Sequence, residues 1–292
     1  MFSFTQKFRT LGFLSGLGCA VIMPQSLNAQ QLNFKEPDVI AITATDFLMG
    51  STQSEREYGY QLDEKAYGSA ITRKQRWYDF ELNRKSVHVN GFKIMKTPVT
   101  NRQYAVFIEE TGHKAPFVDE QEWRGYRLIH PYRTAQKYLW KNGVFPQGKA
   151  DHPVVLVNVE DAKAYARWLS VKTQKTWRLP SEEEWELAAR GTDGRIFPWG
   201  DRYDATFLNT EDRKNGGTQP VGQYPQGASP YGVLDMAGQV YEWTSLKAAN
   251  ARTFVKGGGW DDFGCGVCRS AARHNRPSHM KHVLIGFRLV QE

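Results

Sequence analysis

The constraint that bears hardest on this chain is its load of large rings set among glycines. It carries 9 Trp, 13 Tyr, 16 Phe and 26 Gly in 292 residues. Rings need an interior, and glycine lets the backbone turn where other residues are strained. Interleaved along the chain, the two imply a compact, loop-rich domain and count against a regular helical bundle. The 40% hydrophobic content is too high for general disorder. No internal repeat and no convincing boundary divides the sequence, so one α+β domain is expected.

The N-terminus reads as an address. Lys7 and Arg9 precede an apolar stretch over residues 11–23, and Ser26-Leu27-Asn28-Ala29 closes the segment. Residues 1–29 are expected to be a secretory signal peptide cut after Ala29, which makes the mature protein exported and periplasmic. Cys19 sits in a poor lipidation box, because Leu17 occupies a small-residue position, so a lipoprotein is not expected. Beyond this stretch nothing approaches the length of a membrane span. Removing Lys7 and Arg9 takes the net charge from +7 to +5. The remaining charge is dispersed, and no basic stripe alternates with rings, so no nucleic-acid partner is expected.

Residues 30–44 read as a linker and 45–292 as the domain. Residues 52–85 read as a long ordered loop, and 86–95 as one strand. Three helices carry local signals: Thr100 with Gln103 opens the first and Gly112 ends it; Asn158 caps a second running to about Thr173; Ser181 with Glu184 opens a third that Gly191 stops. Glu109, Glu110 and residues 182–184 read as helix-surface carboxylates. Strands are expected at 241–244, at 254–256 and finally at 285–290. No G-x-S-x-G, Walker loop, H-E-x-x-H or G-x-G-x-x-G in a strand–helix context occurs.

Without Cys19, the cysteines are Cys265 and Cys268, in Cys265-Gly266-Val267-Cys268. Three readings of this CxxC stand together: a structural disulfide, a soft-metal site such as copper(I), and a redox dithiol. Asp261, Asp262, Arg269, Arg273, His274, His279 and His282 lie close by in sequence. Arginines there can bind a carboxylate or phosphate, and histidine can complete a coordination shell.

Several segments in a fixed order carry a resemblance. They are Phe47-x-Met49-Gly50-Ser51, Pro98-Val99-Thr100-Asn101-x-x-Tyr104, His152-Pro153-Val154, Arg178-Leu179-Pro180-Ser181-Glu182-x-Glu184-Trp185-Glu186, Ala188-Ala189-Arg190-Gly191, Pro198-Trp199-Gly200 and Gly257-Gly258-Gly259-Trp260 through Gly286-Phe287-Arg288. In these the chain resembles the formylglycine-generating enzyme/sulfatase-modifying-factor family. The resemblance implies an α+β, C-type-lectin-like sulfatase-modifying-factor fold with little regular secondary structure. The family includes a copper-dependent oxidase, iron-dependent sulfoxide synthases, a periplasmic protein of pyoverdine maturation, and members with no known activity.

By resemblance, Cys265 falls at the second copper cysteine, Asp262 stands where the first belongs, and Gly259 replaces a serine. The resemblance also implies a structural calcium held by Asn209, Asp212, Gln239 and Glu242, with Gln239 in place of the usual asparagine. The leading expectation is an exported oxidoreductase acting on a peptide, thiol or peptide-derived metabolite. Cys265, Cys268 and Asp262 would be its catalytic residues, the two cysteines holding copper or exchanging electrons. Trp260, Arg269, Arg273 and His274 would line an accessible substrate groove. The rival expectation is a non-catalytic binding or assembly module stapled by a Cys265–Cys268 disulfide.

Overall fold

The computed structural model describes residues 32–292. The expected signal peptide, its cleavage site and Cys19 lie outside the described residues. Along the chain run β1 (Val39–Ile42), β2 (Thr45–Met49), α1 (Gln53–Tyr67), α2 (Ile71–Lys74), β3 (Lys85–Val89), β4 (Phe92–Met95) and α3 (Asn101–Thr111). There follow α4 (Glu120–Gly125), α5 (Tyr132–Gln136), α6 (Val159–Thr173), β5 (Trp177–Arg178) and α7 (Glu182–Arg190). The last part holds β6 (Tyr241–Ala248), β7 (Arg252–Lys256), β8 (His274–Pro277), β9 (Ile285–Gly286) and β10 (Val290–Gln291).

The three helices read from the sequence form where their caps place them. Thr100, Asn158 and Ser181 each close a reciprocal capping box, with Gln103, Asp161 and Glu184 respectively. Each box satisfies two backbone donors that the first helical turn leaves open. The segment expected as a long loop differs: α1 fills residues 53–67, opened by a Thr52/Glu55 capping box and ended by Gly68 in the left-handed region. The region expected as one strand is two, because Asn90-Gly91 turns the chain between β3 and β4. β1 lies inside the stretch read as a linker and pairs with β4.

Three sheets organise the domain. One has the order β1-β4-β10-β5, one pairs β2 with β3, and one has the order β8-β7-β6-β9. The expected final strand at 285–290 divides into β9 and β10, which belong to different sheets. The main core joins Phe47, Ile94, Trp185, Leu187, Met236 and Val290. On the other side α3 and α6 meet through a stacked Tyr104–Tyr165 pair with Phe287 edge-on to both. The ring load is thus spent on two packed interiors.

Of the α7 carboxylates only Glu183 is partly exposed; the others are not on the surface. Glu182 and Glu186 are each 1% exposed, and their charge is met by Lys256, Arg190 and Arg273. Glu184 is also buried and takes both nitrogens of the Arg178 fork at 2.7 Å. Among the described residues no helix is long and apolar enough to cross a membrane.

Candidate functional site

The chain leaves β7 through Gly257-Gly258-Gly259 and then presents Trp260, Asp261 and Asp262 at the edge of a hollow of about 810 Å³. Gly257 and Gly258 both have positive φ, and a Cβ at Gly258 would collide with the sulfur of Cys268. Glycine is needed there on both counts. The opposite wall comes from residues 127–137, around α5, and further rings come from Tyr67, Trp77 and Tyr241.

Two acids stand side by side in this hollow with different environments. Asp262 is 8% exposed. Its Oδ2 accepts from the Gly259 amide at 2.8 Å and from the Tyr241 hydroxyl at 3.0 Å. Burial, reinforced by the neighbouring Asp261 charge, holds its carboxyl well above the usual carboxylate range. Asp261 instead pairs through Oδ2 with His130 Nε2 at 2.7 Å, leaving its buried Oδ1 without a partner. A carboxyl kept protonated beside a carboxylate–histidine pair is an arrangement suited to proton transfer.

Two more histidines complete the wall. His274 lies edge-on to Trp77 and Tyr241, and its Nε2 is buried without a partner. Burial, aided by the nearby Arg276 charge, pushes it down to about 3. His282 stacks on Trp123 and accepts the Leu284 amide at 3.1 Å; burial and the nearby His130 push it down to about 3 as well. Both rings are therefore neutral hydrogen-bonding groups at neutral pH.

Trp260, Asp262 and His274, expected at the site, do line the hollow. The other expected groups do not. Cys265 and Cys268 are joined in a disulfide, and both are 0% exposed. The expectation of accessible sulfurs in a groove is corrected: α1 packs over this turn, with the Gly266 amide held by Asp63 at 2.9 Å, and the sulfurs face Gly258 rather than the hollow. The donor set does not fit copper, since a disulfide offers no thiolate.

Arg269 and Arg273 also turn inward. Arg269, 1% exposed, forms a two-pronged pair with Glu81 and lies over the Tyr78 ring. Arg273 Nε sits 2.9 Å from Glu182, and its guanidinium covers the Phe254 ring. Each is committed to a buried charge that would be costly to strand, so neither is placed to anchor a substrate.

The four expected calcium ligands serve other partners. Asn209 donates to Gln239 at 2.8 Å and to the Gly217 carbonyl at 3.0 Å. Gln239 in turn donates to Gln219, and its backbone carbonyl receives the Trp260 amide. Asp212 accepts from Tyr203 at 2.5 Å and the Gly264 amide at 3.0 Å. Glu242, fully buried, is neutralised by Arg288 at 2.7 Å and accepts from Trp185 Nε1 at 2.8 Å. The residues as arranged do not fit a calcium ion: two are an amide lattice under Trp260, one is a loop tie, and one is a core ion pair. Among the described residues no cluster of three His, Cys, Asp or Glu is placed to hold a metal.

Sequence reasoning gave no role to His130, Tyr67, Trp77, Tyr241 or Arg276. No local signal marks His130, which reaches its carboxylate across 131 positions of chain. Arg276 had a signal, being two residues beyond His274 on a strand and therefore on the same face.

Comparison with known proteins places the fold. A formylglycine-generating enzyme of Mycobacterium tuberculosis is 31% identical over 223 residues, covering 62% of this chain and 72% of that protein. A hercynine oxygenase of Mycolicibacterium smegmatis is 32% identical over 173 residues, or 54% of this chain, which spans only 38% of that longer relative. The structure of PvdO from Pseudomonas aeruginosa superposes with a TM-score of 0.65 at 26% identity, covering 88% of this chain and 94% of that one. The α+β, C-type-lectin-like sulfatase-modifying-factor fold is the fold of this chain. A family profile for the Sulfatase-modifying factor enzyme 1-like domain matches residues 24–292, and the chain belongs to that family.

Proposed function

We propose that this chain is an oxidoreductase-like member of the family that acts on a peptide or peptide-derived metabolite in the ring-lined hollow. The reacting groups of the protein are then Asp261, Asp262 and His130, not the cysteines. The observation that carries this reading is the convergence of a buried carboxyl, a carboxylate–histidine pair and aromatic walls on one space. Oxidising an organic substrate by two electrons requires loss of two protons as well. His130, oriented by Asp261, would take a substrate proton, and Asp262 would deliver one to dioxygen, which accepts the two electrons and, with the two protons the substrate loses, leaves as hydrogen peroxide. The electrons pass to an acceptor from outside the chain, for which dioxygen is the one to test. The relative named hercynine oxygenase supports the oxidative class. Export belongs to the same proposal: a buried disulfide suits an oxidising compartment, and N-terminal sequencing of protein recovered from the periplasm tests it.

The test is oxygen uptake by the purified mature protein with acetylated tyrosine- and cysteine-containing peptides, with product masses read in parallel. Uptake should vanish in Asp261→Asn and Asp262→Asn and persist in the Cys265→Ser/Cys268→Ser double variant. Uptake lost in a folded double-serine variant would return the chemistry to the sulfurs and overturn the assignment.

The second reading is a non-catalytic binding module. It is favoured by the commitment of both sulfurs, Arg269 and Arg273 to the interior. Saturable peptide binding with no oxygen uptake by any peptide selects it.

A further inference from the structure

The hollow has a neighbour. A second depression of about 470 Å³ adjoins it and shares Arg127, Leu128 and His130 with it. Its walls come from α4, α5 and the turn between them, and its lining includes Arg124, Arg127 and Arg133 with Glu120 as the one acid. Glu120 is taken by Arg124 at 2.6 Å. Among the described residues, no carboxylate lies within ion-pair distance of Arg127 or Arg133. Across the shared wall Lys137 and Arg276 add two more cations. The floor is apolar and rigid: Trp123 is 2% exposed, and its Nε1 donates to the His130 carbonyl at 2.8 Å. Arg127 itself is held at φ 53, a left-handed conformation that a non-glycine residue adopts at a cost.

Guanidinium groups with no internal counter-ion, gathered round a concave ring-floored space, suit a planar oxyanion, which they bind through paired N–H donors. We infer that this arginine pocket is an anion subsite holding a carboxylate of an acidic peptide whose ring-bearing part occupies the hollow. The inference rests on the hollow being the substrate site and adds the class of substrate: a ligand in two parts, an aromatic group and an acid, with His130 at the junction. Such a division explains why the two depressions share a wall that carries both the proton-handling histidine and an unpaired arginine.

The test is calorimetric titration, which needs no turnover. The probes are an acetylated tyrosine–glycine–glutamate tripeptide, its fully amidated glutamine counterpart, and inorganic phosphate alone. The acidic peptide should bind about tenfold more tightly than the amidated one. The Arg127→Ala/Arg133→Ala double variant should erase that preference, so that the two peptides bind alike. Both arginines are exposed, so the fold should survive. Glu120→Gln, which frees Arg124, should widen the preference by about threefold at low salt. Equal binding of the two peptides, or a preference that persists in the double variant, overturns the subsite. Phosphate binding that depends on the two arginines, with neither peptide bound, would keep the anion site and overturn the hollow as substrate site. Absence of binding by all three probes overturns both.

Discussion

The residues on either side of the disulfide turn are charged, chemically able side chains with opposite placement. Ahead of it, Asp261 and Asp262 face the hollow, one carboxyl paired with His130 and the other pushed up by burial. Behind it, Arg269 and Arg273 are locked to Glu81 and Glu182 in the interior. Asp261 and Arg269 are eight positions apart in the chain. The difference teaches that a cluster of chemically able side chains in sequence need not be a cluster in space. A tight turn is closed by Cys265–Cys268. The arm after it is tied into the scaffold through Glu81 and Glu182, and the arm before it lines the hollow.

The heaviest blow to this contrast comes from the scaffold side. Glu81→Ala strands the Arg269 guanidinium in the interior and should cost about 3–5 kcal/mol of stability in urea unfolding. If the variant unfolds no more easily than the parent, Arg269 is not structural and could belong to the site after all. The Cys265→Ser/Cys268→Ser pair should cost about 2 kcal/mol, because the bridge closes only a short loop. Peptide binding by the folded protein should be retained; its loss would join the disulfide to the hollow.

On the site side, Asp262→Asn removes a carboxyl whose charged form burial disfavours. A group raised above its unfolded value supports folding at low pH, and that support fades as pH rises through the raised value. The variant should therefore gain about 1 kcal/mol relative to the parent at pH 8 and nothing at pH 4, read as thermal midpoints. A parent-like pH profile would show that Asp262 is an ordinary exposed carboxylate.

The last expected effect is confined to acid. His274 and His282 stay neutral down to about 3 in the folded protein. The unfolded chain takes up protons at the ordinary value of 6.5. The stabilisation they give is whole above pH 6.5 and is lost as pH falls toward 3. Replacing His274 by Gln should flatten that acid limb while changing stability little at pH 7; an unchanged limb would show that the ring is open to water.

The helices were legible because their signals are local. Thr100, Asn158 and Ser181 each satisfy amides within three residues, so a window of four letters carries the information. The same device was present at Thr52 and Glu55 and at Gly68, but the polar, ring-rich composition of residues 53–67 masked it. The hollow was only half legible. Trp260, Asp262 and His274 come from the sequence-near segment, whereas His130, Tyr67 and Trp77 arrive from elements far along the chain. The surface reading of Glu182 failed, and the ion pair of Glu242 was not foreseen, for one reason: the partner, Arg288 for Glu242 and Lys256 or Arg273 for Glu182, lies tens of residues away.

What the sequence by itself determined is the family, the α+β fold and the capped helices, because ordered motifs, glycine turns and caps act through near neighbours. What only the tertiary structure decided is which way each able side chain faces. Exposure and ion pairing depend on what packs against a residue: the disulfide turn and Arg269 meet a helix some two hundred residues earlier in the chain, and Arg273 meets Glu182 of α7.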